Sequence, residues 1–373
     1  MNILLASNPH KDYFSSTEIN NLIGIGITNT YPDISIREIP VGDGGGGTIE
    51  SIIRHKKGDI IKTSTYDSLF RKIYANIGIF EDDKKTAVIE IAEACGSHLL
   101  KLEERNTMVA TSYGVGELIK VSLDMDCKRI IIGLGGCMSS DGGMGMAQSL
   151  GARFFDKNNK IIEPIGNSGY NVYSIPHVDT IDLSSFDRRI WDVDVIVAAD
   201  VTTPLFGENG QAKTFGKQKG AKKDQVEFIE TCLIYWNGIL CKTFGRNYNV
   251  EFSGAAGGLG AGIAAFLKGR LNSGFNVFCE YTNFLQDLAW SNVVVTGEGS
   301  LDKTSFLGKA PISIAKVAKK YNKDVFAVVG LSDANINTSK IFNKVIQFGP
   351  CKKQNCESPI VESGKKIANI IKI

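Results

Sequence analysis

The sequence predicts an α/β protein of parallel strands buried on both faces, with helices between them. Three observations carry this expectation. Seven strongly apolar runs recur along the chain. Each ends in small, acidic or glycine residues, and helical spacing follows most of them. The chain of 373 residues also exceeds the usual size of one compact core, so two domains are expected.

The predicted strands are "NILLAS" (2–7), "SIREIPV" (35–41), "KTAVIEIA" (85–92), "RIIIGLG" (129–135), "DVIVAAD" (194–200), "NVVVTGE" (292–298) and "VFAVVG" (325–330). Most are too apolar for a half-exposed sheet and fit parallel strands covered by helices. Helical spacing covers 15–31, 112–125, 143–154, 254–267 and 309–321, and Ser15 with Glu18 reads as an N-cap and capping box. The stretch 157–190, with Pro164, Pro176 and scattered charges, reads as loops or an antiparallel edge. No internal repeat is found.

Composition narrows the function. A formal net charge of +2 gives no electrostatic support for nucleic-acid binding. No stretch reaches about 18 uninterrupted apolar residues, and the start "MNILLASNPHKD" lacks the pattern of a secretory leader. A cytoplasmic protein is expected. Cys95, Cys127, Cys137, Cys232, Cys241 and Cys279 lie scattered in apolar or helical stretches and read as reduced core thiols. Cys351 and Cys356 in "CKKQNC" have no second pair of metal-ligand spacing, so zinc is not expected and two unpaired thiols are.

The common nucleotide fingerprints fail. "GLGGCMSSDGG" has Met138 where G-x-G-x-x-G needs glycine, and "GKA" at 308–310 lacks the rest of a P-loop. No G-x-S-x-G elbow occurs, and none of His10, His55, His98 and His177 lies in a nucleophile setting. What remains is a set of strand-end loops rich in carboxylates, hydroxyls, glycines and lysines: 41–48, 135–143, 198–210, 253–260 and 296–311. That mixture suits phosphoryl transfer. Polyphosphate needs unobstructed backbone N–H donors and lysine charge, and carboxylates hold magnesium and orient the attacking hydroxyl.

These loops resemble the bacterial type I glycerate kinase family. The family form P-x-A-D-G-G-E-G-T is similar to "PVGDGGGGT" (40–48), and G-G-S-A-T-N-D-G-G-x-G-x-x-x-A-L-G is similar to "GGCMSSDGGMGMAQSLG" (135–151). "ADVTTPLFGENGQA" (199–212), "FGKQKGA" (215–221), "GAAGGLG" (254–260), "TGEGSLD" (296–302) and "GKAP" (308–311) continue the match in order. The resemblance covers roughly residues 1–330. It implies ATP-dependent phosphorylation of D-glycerate to 2-phosphoglycerate, with 3-phosphoglycerate still open, and ATP and Mg2+ as cofactors. It also implies a two-domain α/β/α fold. Residues 1–65 and 285–373 would form a flavodoxin-like domain, residues 66–284 an inserted middle α/β domain, and the active site a cleft between them. A homo-oligomer is compatible with this reading.

Site residues follow from the matched motifs. Asp43 and Asp141, each before a predicted helix, are candidates for magnesium or acceptor-hydroxyl chemistry, with an N-cap as the structural reading. Asp200, at the end of a buried strand, is the leading candidate for the base. Glu298 and Asp302 could share a cation, and Lys11 and Lys309 would meet phosphate or the glycerate carboxylate. Ser139, Ser140, Gly142, Gly254, Gly257 and Gly258 would approach substrate or phosphate, with tight packing as the competing reading for the glycines. Lys217 and Lys219 read as solvated. The chain departs from the family form at Asn8 (aspartate), Gly46 (glutamate), Ser140 and Thr203 (asparagine), and Ser300 (arginine). Serine supplies no guanidinium fork. These departures leave open a kinase for a related small hydroxy acid, a non-catalytic sensor that binds ATP or glycerate, and a metal-dependent phosphohydrolase.

Overall fold

In the computed structural model, residues 1–10, 14–164, 169–350 and 353–371 are described. Contacts divide the chain into two compact units, Met1–His55 with Gly274–Ile373, and Lys56–Ser273. These borders lie about ten residues before the expected ones at 65 and 284. The cause is strand pairing and helix packing: the segment after position 56 forms a hairpin inside the second unit, and the segment from 274 packs inside the first.

In chain order, the first unit opens with β1 (Asn2–Ser7), α1 (Ser16–Thr30), β2 (Ser35–Glu38) and α2 (Thr48–Lys56). The second unit runs β3 (Asp59–Tyr66), β4 (Lys72–Phe80), β5 (Thr86–Glu90), α3 (Ala92–Cys95), α4 (Tyr113–Asp124), β6 (Arg129–Gly133), α5 (Met144–Ser149), β7 (Arg153–Phe155), β8 (Thr180–Asp182), β9 (Asp194–Ala199), α6 (Gln211–Phe215), α7 (Lys223–Phe244), α8 (Leu259–Phe266) and β10 (Arg270–Ser273). The chain then returns to the first unit with α9 (Gly274–Tyr281), α10 (Phe284–Trp290), β11 (Val293–Leu301), α11 (Ala310–Lys320), β12 (Asp324–Ser332), β13 (Lys344–Gln347) and α12 (Lys353–Ile371).

The first unit is a parallel five-stranded sheet in the order β13-β12-β11-β1-β2. Alternation along its strands separates two cores. Leu4, Ala6, Val294, Ala327 and Val329 pack on the face of α9, α10 and α11. Ile3, Leu5, Val293, Val295 and Val328 pack on the face of α1 and α12. Ser15 caps α1 and Glu18 closes the capping box, as expected. Helices α1 and α12 touch through glycine: a Cβ on Gly26 would lie 2.0 Å from the carbonyl O of Val361. From β1 the chain proceeds outward to β2, whereas from β11 it proceeds outward the other way to β12 and β13. The boundary between β1 and β11 is therefore a topological switch point, where ligands of doubly wound sheets bind.

The second unit has a six-stranded sheet in the order β10-β9-β6-β5-β4-β3. Its first four strands are parallel, and β4 and β3 add an antiparallel hairpin at one edge. The chain moves across the parallel strands in one direction only, so that part has no switch point. At the strand starts, Asp194 pairs with Lys84 at 3.0 Å, Arg129 at 3.4 Å and Arg270 at 2.7 Å. This ionic cluster tacks down the edge opposite the glycine-rich loops. Of the stretch 157–190, read as loops or an antiparallel edge, residues 180–182 form β8, which pairs antiparallel with β7 just before that stretch as a separate two-stranded sheet. Helix 254–267 begins only at Leu259, because Ala256 and Gly257 adopt left-handed conformations before it. The expectation of two free thiols in "CKKQNC" is corrected: Cys356 is disulfide-bonded, a choice that spacing alone could not make, while Cys351 lies outside the described residues. The other six cysteines are free thiols.

Candidate active site

At the switch point, backbone pairing sets Asn8 beside β11, its N–H donating to the Gly297 carbonyl at 2.8 Å. The Asn8 Nδ2 group donates to Asp43 Oδ2 at 3.1 Å, and the Ala310 N–H donates to the same oxygen at 2.8 Å. Asp43 thus caps the N-terminus of α11 from a distant loop, where a carboxylate also complements the helix dipole. Its second oxygen accepts none of the hydrogen bonds among the described residues. The loop carrying Asp43 is pressed into place, since a Cβ on Gly274 would lie 1.6 Å from the Asp43 carbonyl. Asn8 explains one departure from the family form. An amide can donate to Asp43 where a second carboxylate would repel it.

One residue further along β11, Glu298 Oε2 lies 3.5 Å from Lys309 Nζ. Burial pushes the Glu298 carboxyl up, and the ammonium of Lys309 opposes the shift. Asp302 is spent differently: its Oδ1 accepts from the Thr304 N–H at 2.7 Å and hydroxyl at 2.6 Å, capping a short 3-10 turn. Burial raises the Asp302 carboxyl, but the Thr304 bonds and Lys309 outweigh this and hold it below its usual range. Lys11, expected at phosphate, lies outside the described residues.

Around this cluster, five buried polar atoms lack a hydrogen-bond partner among the described residues: Ser7 Oγ, Asn8 Oδ1, His10 Nε2, Thr296 Oγ1 and Glu298 Oε1. A buried polar group without a hydrogen bond costs about 1–3 kcal/mol, so their concentration at one sheet edge marks a place built for a ligand or water. Sequence reasoning missed Ser7, His10 and Thr296. The available signal was polar side chains interrupting apolar runs where the strands end. His10 stacks on Phe348 at 5.4 Å between centroids, and burial lowers its pKa to about 4. As pH falls below 6.5, the unfolded chain protonates this imidazole before the folded one does. Stability should therefore be full above about pH 6.5 and decline towards pH 4, by up to about 3 kcal/mol from this residue. Urea unfolding at pH 7 and pH 5 should show the decline, and His10→Gln should remove that component.

In the second unit the glycine-rich loops interlock with one another. The Asp141 carboxylate is fully buried. Its Oδ2 accepts from the Ser112 N–H at 2.7 Å, the Ser112 hydroxyl at 2.8 Å and the Gly145 N–H at 3.2 Å, and its Oδ1 from the Gly143 N–H at 3.1 Å. Four donors on two oxygens leave little of this carboxylate for magnesium and match the structural alternative, a cap that satisfies backbone N–H groups. Ser140 Oγ is 2.7 Å from Thr107 Oγ1, and Ser139 Oγ is 3.1 Å from Cys137 Sγ. Lys219, expected in solvent, donates from Nζ to the Ser139 carbonyl at 2.7 Å, and burial pulls its pKa down.

The glycines expected at phosphate serve close packing. A Cβ on Gly254 would lie 2.0 Å from the Pro204 carbonyl, on Gly257 2.0 Å from the Ser139 carbonyl, on Gly258 2.7 Å from Leu205 and on Gly142 2.4 Å from Trp236. Gly257→Ala combines that clash with a φ of +71°, and should lower stability by more than about 2 kcal/mol in denaturant titration. By contrast, Gly46 has nothing within 4 Å of such a Cβ, so that loop faces open space. Asp200 is half-buried at the end of β9. Gln211, which sequence reasoning passed over, is fully buried, and neither its amide oxygen nor its amide nitrogen has a partner among the described residues.

A doubly wound sheet whose switch point gathers a lysine–carboxylate pair, a helix-capping aspartate and unpartnered polar atoms defines an α/β enzyme acting on a small polar substrate. Comparison with known proteins narrows that class. The model of the glycerate kinase family matches residues 3–367. The chain belongs to the glycerate kinase family, and its enzymes include close relatives. It is 38% identical over 331 residues to the glycerate 2-kinase of Escherichia coli K12, covering 88% of this chain and 85% of that protein. It is 35% identical over 350 residues to a Bacillus subtilis glycerate kinase, covering 94% and 88%. The crystal structure of a candidate glycerate kinase 2 from Salmonella typhimurium LT2 superposes with a TM-score of 0.81 at 30% identity, covering 100% of this chain and 98% of that one.

Proposed function

We propose that the protein transfers the γ-phosphoryl group of ATP to D-glycerate, giving 2-phosphoglycerate and ADP in the cytoplasm. The observation that carries this reading is the switch-point cluster of Asp43, Asn8, Glu298 and Lys309 in a chain of the glycerate kinase family. The 2-position is supported by the name of the Escherichia coli relative.

In this reading Lys309 supplies a point charge for an anionic group of substrate. Asp43, oriented by Asn8 and by the N-terminus of α11, turns its second oxygen to the attacking hydroxyl and takes its proton as the oxygen–phosphorus bond forms. Asp200 is the second candidate for that proton. Asp200→Asn should lower kcat by about 10²–10⁴-fold if it is the base and leave kcat nearly unchanged if Asp43 is.

The donor set fits Mg2+ only as a minority contribution. Among the described residues no three His, Cys, Asp or Glu side chains come together as a metal cage. Mg2+ is ordinarily held by one or two carboxylates, with phosphate oxygens and water filling its other positions. Asp302, kept ionised, suits this better than Glu298, whose charge Lys309 already offsets. Bound with ATP, the ion would neutralise charge on the phosphates.

A second reading, phosphorylation of a related small hydroxy acid, is favoured by the open space at Gly46, where the family form carries glutamate. The test is purified protein with ATP, Mg2+ and D-glycerate, followed by ADP release and phosphorus NMR. Acceptor-dependent ADP with a 2-phosphoglycerate signal is the expected outcome. ADP formation only with another hydroxy acid moves the assignment to the second reading, and no turnover with any acceptor overturns both. Among the described residues no helix is long and apolar enough to cross a membrane.

A further inference from the structure

Strand alternation places Thr296 and Glu298 on the same face of β11 as Val294, the face covered by α11. Asn8 reaches that face too, since its amide meets the carboxylate that caps α11. Thr296, Asn8 and Glu298 are 0%, 9% and 6% exposed, and each keeps one polar atom without a partner among the described residues: Oγ1, Oδ1 and Oε1.

The hydrogen-bonding capacity of these atoms is specific. Asn8 Nδ2 gives one hydrogen to Asp43, and the unpartnered atom of its amide is the carbonyl oxygen, an acceptor. Glu298 Oε1 is likewise an acceptor, the other oxygen being turned to Lys309. The Thr296 hydroxyl can donate, and the Lys309 ammonium donates and carries positive charge. A ligand that satisfies all four presents two hydroxyls, donating to Asn8 and Glu298 while the acceptor rests in its seat, and one carboxylate to Thr296 and Lys309; the attacking hydroxyl turns its proton to Asp43 only as it reacts. A 2,3-dihydroxy acid has those groups. A nucleoside triphosphate does not fit as well: its ionised phosphates have no hydrogen to give Asn8 Oδ1 and Glu298 Oε1, and its base would bring an apolar face to a polar wall.

We propose that Asn8, Thr296, Glu298 and Lys309 form the seat of the acceptor, the first and third reading its hydroxyls and the second and fourth its carboxylate. The proposal rests on the kinase reading and assigns it a specificity-determining set. Within it, Thr296 and Asn8 are acceptor residues to which the motif comparison gave no role.

The experiment is steady-state kinetics of Thr296→Val and Thr296→Ser with D-glycerate and ATP varied separately. Valine preserves the shape of threonine and breaks no hydrogen bond within the protein, so the melting temperature should stay the same or rise. KM for D-glycerate should increase by about tenfold or more, KM for ATP should stay within about twofold, and serine should restore the D-glycerate value. Glu298→Gln, which keeps an acceptor oxygen beside Lys309, provides a second variant and should raise the D-glycerate KM selectively. An unchanged D-glycerate KM in both Thr296→Val and Glu298→Gln, or a rise confined to ATP, overturns the assignment. If the unsubstituted protein turns over no hydroxy acid, the kinase reading falls first. If it turns over D-glycerate and the variants do so with unaltered KM, only the seat is wrong.

Discussion

Asp43→Asn should leave the protein folded and reduce kcat by about 10²–10⁴-fold. The asparagine oxygen can take the place of Oδ2 and keep the bonds from Asn8 Nδ2 and the Ala310 N–H, at 3.1 and 2.8 Å in the native chain. What disappears is the charge and the second oxygen. Circular dichroism and a melting temperature within a few degrees of native would show that the cap survives, so the loss would belong to the chemistry. Asp43→Ala removes the cap as well, and should add a stability loss of about 1–2 kcal/mol. If Asp43→Asn keeps native kcat, Asp43 is a cap alone.

The opposite pattern is expected at the other aspartate of a D-G-G sequence. Asp141→Ala strands the Ser112 N–H and hydroxyl and the N–H groups of Gly143 and Gly145 in the interior. Their desolvation predicts a loss of at least about 3 kcal/mol. Burial pushes the Asp141 carboxyl up, and its four donors offset this only in part. A neutral amide is therefore tolerable in place of the charge. Asp141→Asn, with its oxygen at the Oδ2 position, keeps three of the four bonds and should cost only about 1–2 kcal/mol, with kcat within a few-fold of native. Loss of kcat in a stable Asp141→Asn protein would return this residue to the catalytic machinery.

The contrast between Asp43 and Asp141 shows where a linear reading stops. Both occupy the same local motif, a carboxylate followed by two glycines at the start of a helical pattern, and local sequence assigns them the same two possibilities. The difference lies in partners far away along the chain. Asp43 meets Asn8 and Ala310, both on one oxygen, whereas both oxygens of Asp141 accept hydrogen bonds, two of the four from distant Ser112. Glycines diverge in the same way. Gly46 faces open space and Gly257 faces the Ser139 carbonyl at 2.0 Å, although both lie in runs that look equally suited to phosphate.

The amino-acid sequence by itself determined the α/β class and the positions of seven strands, six of them buried and the seventh, β2, a half-exposed edge. Continuous apolar runs bounded by small residues have no other economical use than strands covered on both faces. It also determined family membership, because several ordered motifs carry it jointly. The half-exposed elements escaped it: the β3–β4 hairpin, the edge strand β13 and the amphipathic helices α7 and α12, whose weak patterning acquires meaning only against a packed neighbour. Only the tertiary structure decided which carboxylate is satisfied, which lysine donates to a loop carbonyl and which polar atoms are left without partners among the described residues. Hydrogen-bond satisfaction is a property of three-dimensional neighbours, and at the β1–β11 switch point those neighbours come from segments some 290 residues apart.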